Sequence, residues 1–212
     1  MTSFDEIKQD LRDYCRGRNV CTDGYALLLR AETPAELWAI LKEHIIGMQS
    51  DLLCDYISEH LQVWYDAFGD EARQQGIYLN ENVRGGMVLV NRQKNFVATE
   101  EADYYVFGAT SLTAIGGSRV HCRMEDADIV LAGHSRSEVQ RCRVVVRERA
   151  TATITDCQRA ECREAATVRL MSGTLTDHGH LAITAYNGST VYSITTKKIT
   201  LVAGSTIKLL EE

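Results

Sequence analysis

A regular spacing of apolar residues limits what this chain can fold into more than any other feature of its sequence. Every eighth residue is apolar over two stretches, namely Val146, Ile154 and Cys162, and then Ile183, Val191, Ile199 and Ile207. Around these positions apolar and polar residues alternate, which is typical of strands with one buried side. A short fixed repeat indicates that each unit buries its apolar side against its neighbours. The sequence therefore predicts a stacked β architecture, a β-solenoid, for more than half of the chain.

The first eighty residues carry the start signals of α-helices instead. Ser3 and Glu6 have the spacing of a capping box, and Thr33 precedes a proline that suits the first position of a helix. Apolar residues follow at helical spacing in both segments. A longer amphipathic segment is predicted to end at Gly69, with one further turn over residues 70–75. These signals predict a helical region, and the pattern becomes strand-like at Ile77.

Together the patterns predict an α+β fold in which a small α-helical N-terminal domain, residues 1–80, caps a C-terminal β-solenoid, residues 81–212. A cap is expected because an open solenoid end exposes strand edges and apolar surface. The length of one coil stays open. Eight residues could form one strand with its turn, whereas Cys122, Cys142 and Cys162 are spaced by twenty residues and would stack in a coil of matching length. An antiparallel sandwich of short strands is the alternative fold.

Composition and charge point to a protein without a membrane segment. The net charge of −6 divides into −8 for residues 1–83 and +2 for residues 84–212. Apolar runs are too short to cross a bilayer, and no secretory signal precedes the first helix. The seven cysteines are odd in number and scattered, which does not fit a disulfide framework. We expect a cytoplasmic protein whose reduced thiols fill a narrow core as small hydrophobic groups.

Two segments carry a resemblance to other proteins. Residues 182–193, which include Ala-Tyr-Asn-Gly-Ser-Thr-Val, resemble the tandem Tyr-Gly-Asn-Ala-Thr-Val-x-Ala octads of uncharacterised bacterial and phage-type proteins. Residues 76–83, Gly-Ile-Tyr-Leu-Asn-Glu-Asn-Val, are similar to the segment that precedes those repeats. Residues 134–170 differ, because arginine replaces small residues there. The resemblance implies a helical cap on a β-repeat body and a place on mobile genetic elements. It implies no activity and no site residues.

Arginines between residues 119 and 169 are the most distinctive chemical feature. The candidate binding residues among them are Arg141, Arg143, Arg147, Arg149 and Arg163. The first two and the next two have i,i+2 spacing, so each pair is expected to project from one face of a strand. Stacked coils would turn them into a row that binds phosphates or carboxylates. The alternative is a solvated face with cross-strand ion pairs, because eight acidic residues share the stretch.

Other candidates have structural alternatives. Trp38 lies one position off the apolar stripe of its helix, so it is either a partly exposed interface anchor or a cover for the junction between head and body. His178 and His180 could bind zinc from one side of a strand, but a polar turn explains them more simply. We predict no metal and no cofactor.

Catalytic motifs such as Gly-x-Ser-x-Gly, the phosphate-binding loop and His-Glu-x-x-His do not occur in the sequence. Only Asp103, with Tyr104 and Tyr105, suggests a carbohydrate-acting β-helix. We therefore predict a non-enzymatic protein that binds another macromolecule. The resemblance extends this to a phage or mobile-element accessory protein that binds and inhibits a host defence protein. The alternatives are a structural β-solenoid that self-assembles into a homo-oligomer through its β tail, and nucleic-acid binding along the arginine-rich face. Acidity and missing aromatics make nucleic acid the less favoured partner.

Overall fold

The computed structural model describes residues 3–16, 22–48 and 52–210. Within these residues four helices precede seventeen strands. The helices are α1 (Phe4–Cys15), α2 (Thr22–Arg30), α3 (Pro34–Met48) and α4 (Leu52–Gln74). The first nine strands are β1 (Ile77–Leu79), β2 (Met87–Asn91), β3 (Phe96–Ala98), β4 (Asp103–Phe107), β5 (Ser111–Ala114), β6 (Arg119–Cys122), β7 (Asp128–Leu131), β8 (Arg136–Gln140) and β9 (Arg143–Val146). The others are β10 (Thr151–Thr155), β11 (Arg159–Cys162), β12 (Thr167–Ser172), β13 (Thr174–Asp177), β14 (Ala182–Ala185), β15 (Thr190–Ser193), β16 (Ile199–Leu201) and β17 (Thr206–Leu209).

The strands alternate between two parallel sheets. Sheet A contains β1 and all even-numbered strands, and sheet B contains the odd-numbered strands from β3 to β17. From β2 onward, residues that pair within a sheet are 15 to 17 positions apart, as in Asp103 with Arg119 and Arg119 with Arg136. One coil is therefore two strands, and the eight-residue unit is one strand with its turn. The solenoid prediction is confirmed. The antiparallel sandwich is wrong, because every strand pair in the described residues is parallel.

Inward side chains form vertical columns that fill the solenoid. In sheet A one column runs through Val106, Cys122, Val139, Ile154, Leu170 and Ala185. All of these are buried, and burial of each large aliphatic side chain contributes about 1.5–3 kcal/mol. The apolar residues that recur at every eighth position alternate between the two sheets, since Ile154 lies in sheet A while Val146 and Cys162 lie in sheet B.

The cysteines fill the core without forming the predicted single stack. Cys122 ends a strand of sheet A, Cys162 ends a strand of sheet B, and Cys142 lies in the turn before β9. The twenty-residue spacing is therefore a coincidence of position in a coil of about sixteen residues. All three thiols are buried, and Cys142 Sγ lies 3.8 Å from Cys157 Sγ. Their use as small hydrophobic groups is confirmed.

The helices begin where the sequence predicts. Ser3 Oγ accepts from Glu6 N at 3.2 Å, and Ser3 N donates to Glu6 Oε2 at 2.7 Å, so the capping box is formed. Helix α3 begins at Pro34, the residue after the predicted N-cap Thr33. Helix α4 continues past Gly69 to Gln74, but Phe68 has non-helical backbone angles at the predicted break.

The helical region packs on the outer face of sheet A at the first coils. Six outward-facing side chains of sheet A are buried there with residues of α4 in one apolar cluster: Ile77, Leu79, Met87, Leu89, Tyr105 and Phe107. Strand β1 pairs with β2, so sheet A already begins at Ile77. Helices and solenoid thus share a continuous core rather than meeting through a linker.

Trp38 belongs to this shared cluster. Its side chain is 1% exposed, and its indole Nε1 donates to the carbonyl oxygen of Phe68 at 3.0 Å. The prediction of a partly exposed interface anchor is therefore wrong. Helix α3 packs against α4, where the rings of Trp38 and Tyr65 meet edge to face at 6.1 Å. The alternative, a cover for the junction between head and body, stays a prediction.

Candidate interaction surfaces

The last described coil leaves its apolar side open. Ile199 and Ile207 continue the inward columns of Ile183 and Val191 but are only partly buried. Strands β16 and β17 are the terminal strands of their sheets, so within residues 3–16, 22–48 and 52–210 no strand pairs with their outer edges. Both backbone groups and apolar columns are exposed at this end. We call the surface formed by β16, β17 and their turns the open end.

Exposed apolar side chains are concentrated near the open end. Five of the eight large ones among the described residues lie between residues 181 and 209: Leu181, Ile194, Leu201, Val202 and Leu209. Leu209 is 63% exposed although its column partner Ser193 is buried. Edges of this kind, with apolar side chains and unpaired backbone groups, are templates for strand pairing.

A second surface lies on the outer face of sheet B. Arg143 begins β9 and Arg159 begins β11, and the two residues pair in register. Arg147 and Arg163 follow the ends of the same two strands, where Arg163 N donates to Val146 O at 2.8 Å. We call these four residues the arginine block. It unites three of the predicted binding residues on one face.

Arg141 and Arg149 lie outside the arginine block. Both occupy turns, Arg141 with a φ of 63° before β9 and Arg149 after the left-handed residue Glu148. The predicted i,i+2 pairs within one strand are therefore wrong, because the coil turns a corner at each pair. Arg159 was missing from the predicted binding residues. The sequence signal that could have identified Arg159 is the offset of sixteen residues, which relates Arg143 to Arg159 and Arg147 to Arg163.

Carboxylates hold the arginine block in place. Asp128 accepts from Arg143 Nε at 2.5 Å and Nη2 at 3.0 Å. Glu161, whose side chain is 6% exposed, accepts from Arg163 Nη2 at 2.6 Å and Arg159 Nε at 2.7 Å. One cross-strand ion pair of the kind predicted as the alternative is thus present, between Arg143 and Asp128. The pairs of Glu161 with Arg159 and Arg163 lie along β11, and both kinds of pair order the guanidinium groups. The hydrogen bond from Arg163 makes the largest contribution to a lowered pKa of Glu161, and the hydrogen bond from Arg159 lowers the pKa further.

This lowered pKa predicts an acid-sensitive contribution of Glu161 to stability. The pKa lies below its ordinary value of 4.5 in the folded chain, so ionised Glu161 stabilises the fold above the unfolded pKa. That stabilisation is lost as the pH falls through the folded pKa. We expect Glu161→Gln to be destabilised relative to wild type near neutral pH, and the difference to shrink towards about pH 3. Urea denaturation at both pH values measures it, with the exposed Glu125→Gln as control. A difference that is unchanged at low pH would contradict the assignment.

A buried polar cluster lies inside the solenoid just before the open end. Asp177, fully buried at the end of β13, accepts from Gly179 N at 2.9 Å and from the hydroxyl of Ser193. His180 Nδ1 lies 2.8 Å from Asp177 Oδ2, and His180 Nε2 lies 2.8 Å from Lys197 O. Each ring nitrogen of His180 therefore lies at hydrogen-bond distance from an oxygen atom. The cluster ties β13 to the segment that leads into β16.

This cluster has the residue types of a hydrolase triad but not its geometry. Ser193 donates to Asp177 rather than to the imidazole, and its oxygen accepts from Thr195 N at 3.1 Å. The imidazole is therefore not placed to remove a proton from the serine. His178 and His180 lie in the turn after β13, and the polar-turn interpretation describes them. In the described part of the chain no group of three or more His, Cys, Asp or Glu side chains is placed to hold a metal ion.

The other candidate site, Asp103 with Tyr104 and Tyr105, does not lie on one side of its strand. Tyr104 points inward, where its hydroxyl donates to Asn82 Oδ1 at 2.8 Å, while Tyr105 points outward and stacks on His121 at 4.6 Å. Asp103 accepts from Arg119 Nε at 2.7 Å and Nη2 at 2.8 Å. Burial alone would raise the pKa of Asp103, but the bonds from Arg119 and His121 outweigh it and lower the pKa. Asp103 is thus held as a paired carboxylate at the junction.

Comparison with protein-family models, with curated proteins and with solved structures finds no match to this chain. None of the helices over residues 3–16, 22–48 and 52–74 has the length and apolar character needed to cross a membrane.

Proposed function

We propose that this protein is a non-enzymatic structural solenoid that associates with a second copy of itself through the open end. The observation that carries the proposal is the apolar last coil, with Leu201 42% and Leu209 63% exposed beside unpaired strand edges. Each earlier coil, from β2 and β3 onward, has a further coil stacked on the side that faces the open end. The natural complement of the open end is therefore another coil of this repeat.

Two open ends can meet around a two-fold axis that crosses the solenoid. Such an isologous contact brings the edges of β16 and β17 against the same edges of the partner copy and buries both sets of apolar columns. Lys197, Lys198 and Lys208 are exposed at this end. In the dimer these like charges approach each other, so added salt is expected to favour the dimer by screening them.

The test is the molar mass in solution. Light scattering coupled to gel filtration is expected to give twice the chain mass of 23.7 kDa for the wild type at high concentration, and the chain mass for Leu201→Lys/Leu209→Lys. Val63→Lys is the matched control, since Val63 is 47% exposed on α4, far along the chain from the open end. A monomeric wild type, or a dimer that survives the double substitution, would overturn the proposal.

Inhibition of a host protein by a phage or mobile-element accessory protein stays a prediction, as does a cytoplasmic location. The resemblance alone supports the first, and no residue of the solenoid is assigned to it. Binding of a host protein to purified protein with an intact open end, but not to Leu201→Lys/Leu209→Lys, would place that partner where we propose the second copy. Because the double substitution would then abolish both associations, the molar mass of the purified wild type alone separates the two functions.

A further inference from the structure

We propose that the arginine block binds an acidic surface of a protein partner, a function beyond self-association through the open end. The block combines four arginines from adjacent coils on one sheet face, and their side chains are 40% to 71% exposed. They occupy both ends of β9 and β11, so they frame the face rather than forming a line along it.

The framework gives the arginine block fixed dimensions. Neighbouring strands of a sheet lie about 4.8 Å apart, and four residues along a strand span about 13 Å. Arg143 and Arg147 are four residues apart, as are Arg159 and Arg163. An extended acidic segment with carboxylates at positions i and i+4 matches the longer distance. Carboxylates on neighbouring strands or loops match the shorter one.

Internal carboxylates orient the arginines without using all of their donors. A guanidinium group has five N–H donors, and Glu161 engages Nε and Nη2 of Arg159 but only Nη2 of Arg163. The remaining N–H groups stay available for a second carboxylate. Because the guanidinium groups are already ordered, a partner loses less side-chain entropy on binding them.

The charge and apolar content of the face favour a protein partner over a nucleic acid. Four arginines stand against Asp128, Glu148 and Glu161, a local charge of +1, and Glu148 Oε1 lies 3.9 Å from Arg147 Nε. The half-buried Val145 lies between Arg143 and Arg147, beside Glu161 on β11 and Val130 on β7. Arginine beside apolar side chains is common in protein interfaces. Nucleic acids require a higher positive charge, and residues 119–169 contain no Phe, Tyr or Trp on which a base could stack.

Fluorescence anisotropy with two labelled probes tests the proposal. The probes are a decamer of glutamate and a decamer of thymidylate, measured at low salt. We expect the wild type to bind the glutamate peptide more tightly than the oligonucleotide. Arg147→Gln/Arg163→Gln is expected to weaken peptide binding by about tenfold, equal to about 1.4 kcal/mol. Arg84→Gln/Arg136→Gln removes the same charge from exposed positions outside the block and is expected to change binding by less than about twofold.

Three results would overturn the proposal: no peptide binding by the wild type, equal loss in both double variants, or tighter binding of the oligonucleotide that depends on the same arginines. If Arg147→Gln/Arg163→Gln does not fold, the peptide affinity of Arg147→Lys/Arg163→Lys is measured instead. This variant keeps the positive charge but lacks the guanidinium groups that bind a carboxylate through two hydrogen bonds. Leu201→Lys/Leu209→Lys leaves the arginine block intact. Its peptide affinity therefore separates failure of this proposal from failure of self-association.

Discussion

Asp177→Ala is expected to lower the free energy of unfolding by about 3 kcal/mol or more, because each buried polar group left without its partner costs about 1–3 kcal/mol. The substitution leaves His180, whose side chain is 3% exposed, without its carboxylate. It also removes the acceptor for Ser193 and Gly179. The cost falls on the coils that lead to the open end. Urea denaturation followed by circular dichroism measures the change.

A double-mutant cycle separates the pair from the rest of the cluster. Asp177→Ala/His180→Ala removes both partners, so we expect it to cost less than the sum of the two single substitutions. The exposed Asp126→Ala is the control and is expected to change stability by less than about 0.5 kcal/mol. A cost for Asp177→Ala below about 1 kcal/mol would show that the contacts of Asp177 do not hold these coils together.

Phe107→Ala is expected to cost about 3–5 kcal/mol, as large-to-small substitutions of buried aromatic residues do. Phe107 points outward from sheet A but is fully buried, because the helical region covers it. Its loss opens a cavity at the junction rather than inside the solenoid. We therefore expect the fluorescence of Trp64, in the same cluster, to change at lower urea than the signal of the strands.

Ile115→Ala is the matched control for this prediction. Ile115 directly follows β5, much as Phe107 ends β4, and it also carries a large apolar side chain, but it is 37% exposed. A change of less than about 0.5 kcal/mol is expected. Equal effects of the two substitutions would mean that the helical region contributes nothing to the burial of Phe107.

The sequence predicts the solenoid well because its strongest signal and its main stabilising contacts are the same residues. The inward positions Val146 and Ile154 are eight residues apart, as are Ile183 and Val191, and each is buried in its column. Helix starts were predictable for a similar reason, since Ser3 and Glu6 satisfy each other locally. Strands β8 and β13 have no residue in this repeat, and arginine, glutamate and threonine dominate their outward positions.

The candidate surfaces depend on information that local patterns do not contain. Grouping Arg147 with Arg163 requires the coil length, and two conflicting spacings left that length undecided. The buried cluster required the same knowledge, because Asp177 and Ser193 are sixteen residues apart and meet only when the coils stack. Trp38 was ambiguous for a different reason. Its burial depends on the face that α3 presents to α4, which helical spacing within one segment does not determine.

The constant register also governs how this molecule can change in length. Removing one residue from a strand would turn its inward side chains outward, because side chains alternate along it. Removing residues 136–150 would instead delete one complete turn of the solenoid and join Ser135 to Thr151, which already pairs with Arg136 in register. Inherited gains and losses are therefore expected to come as whole coils. The length of the solenoid would then change in steps of about 4.8 Å, while the helical region and the open end stay the same.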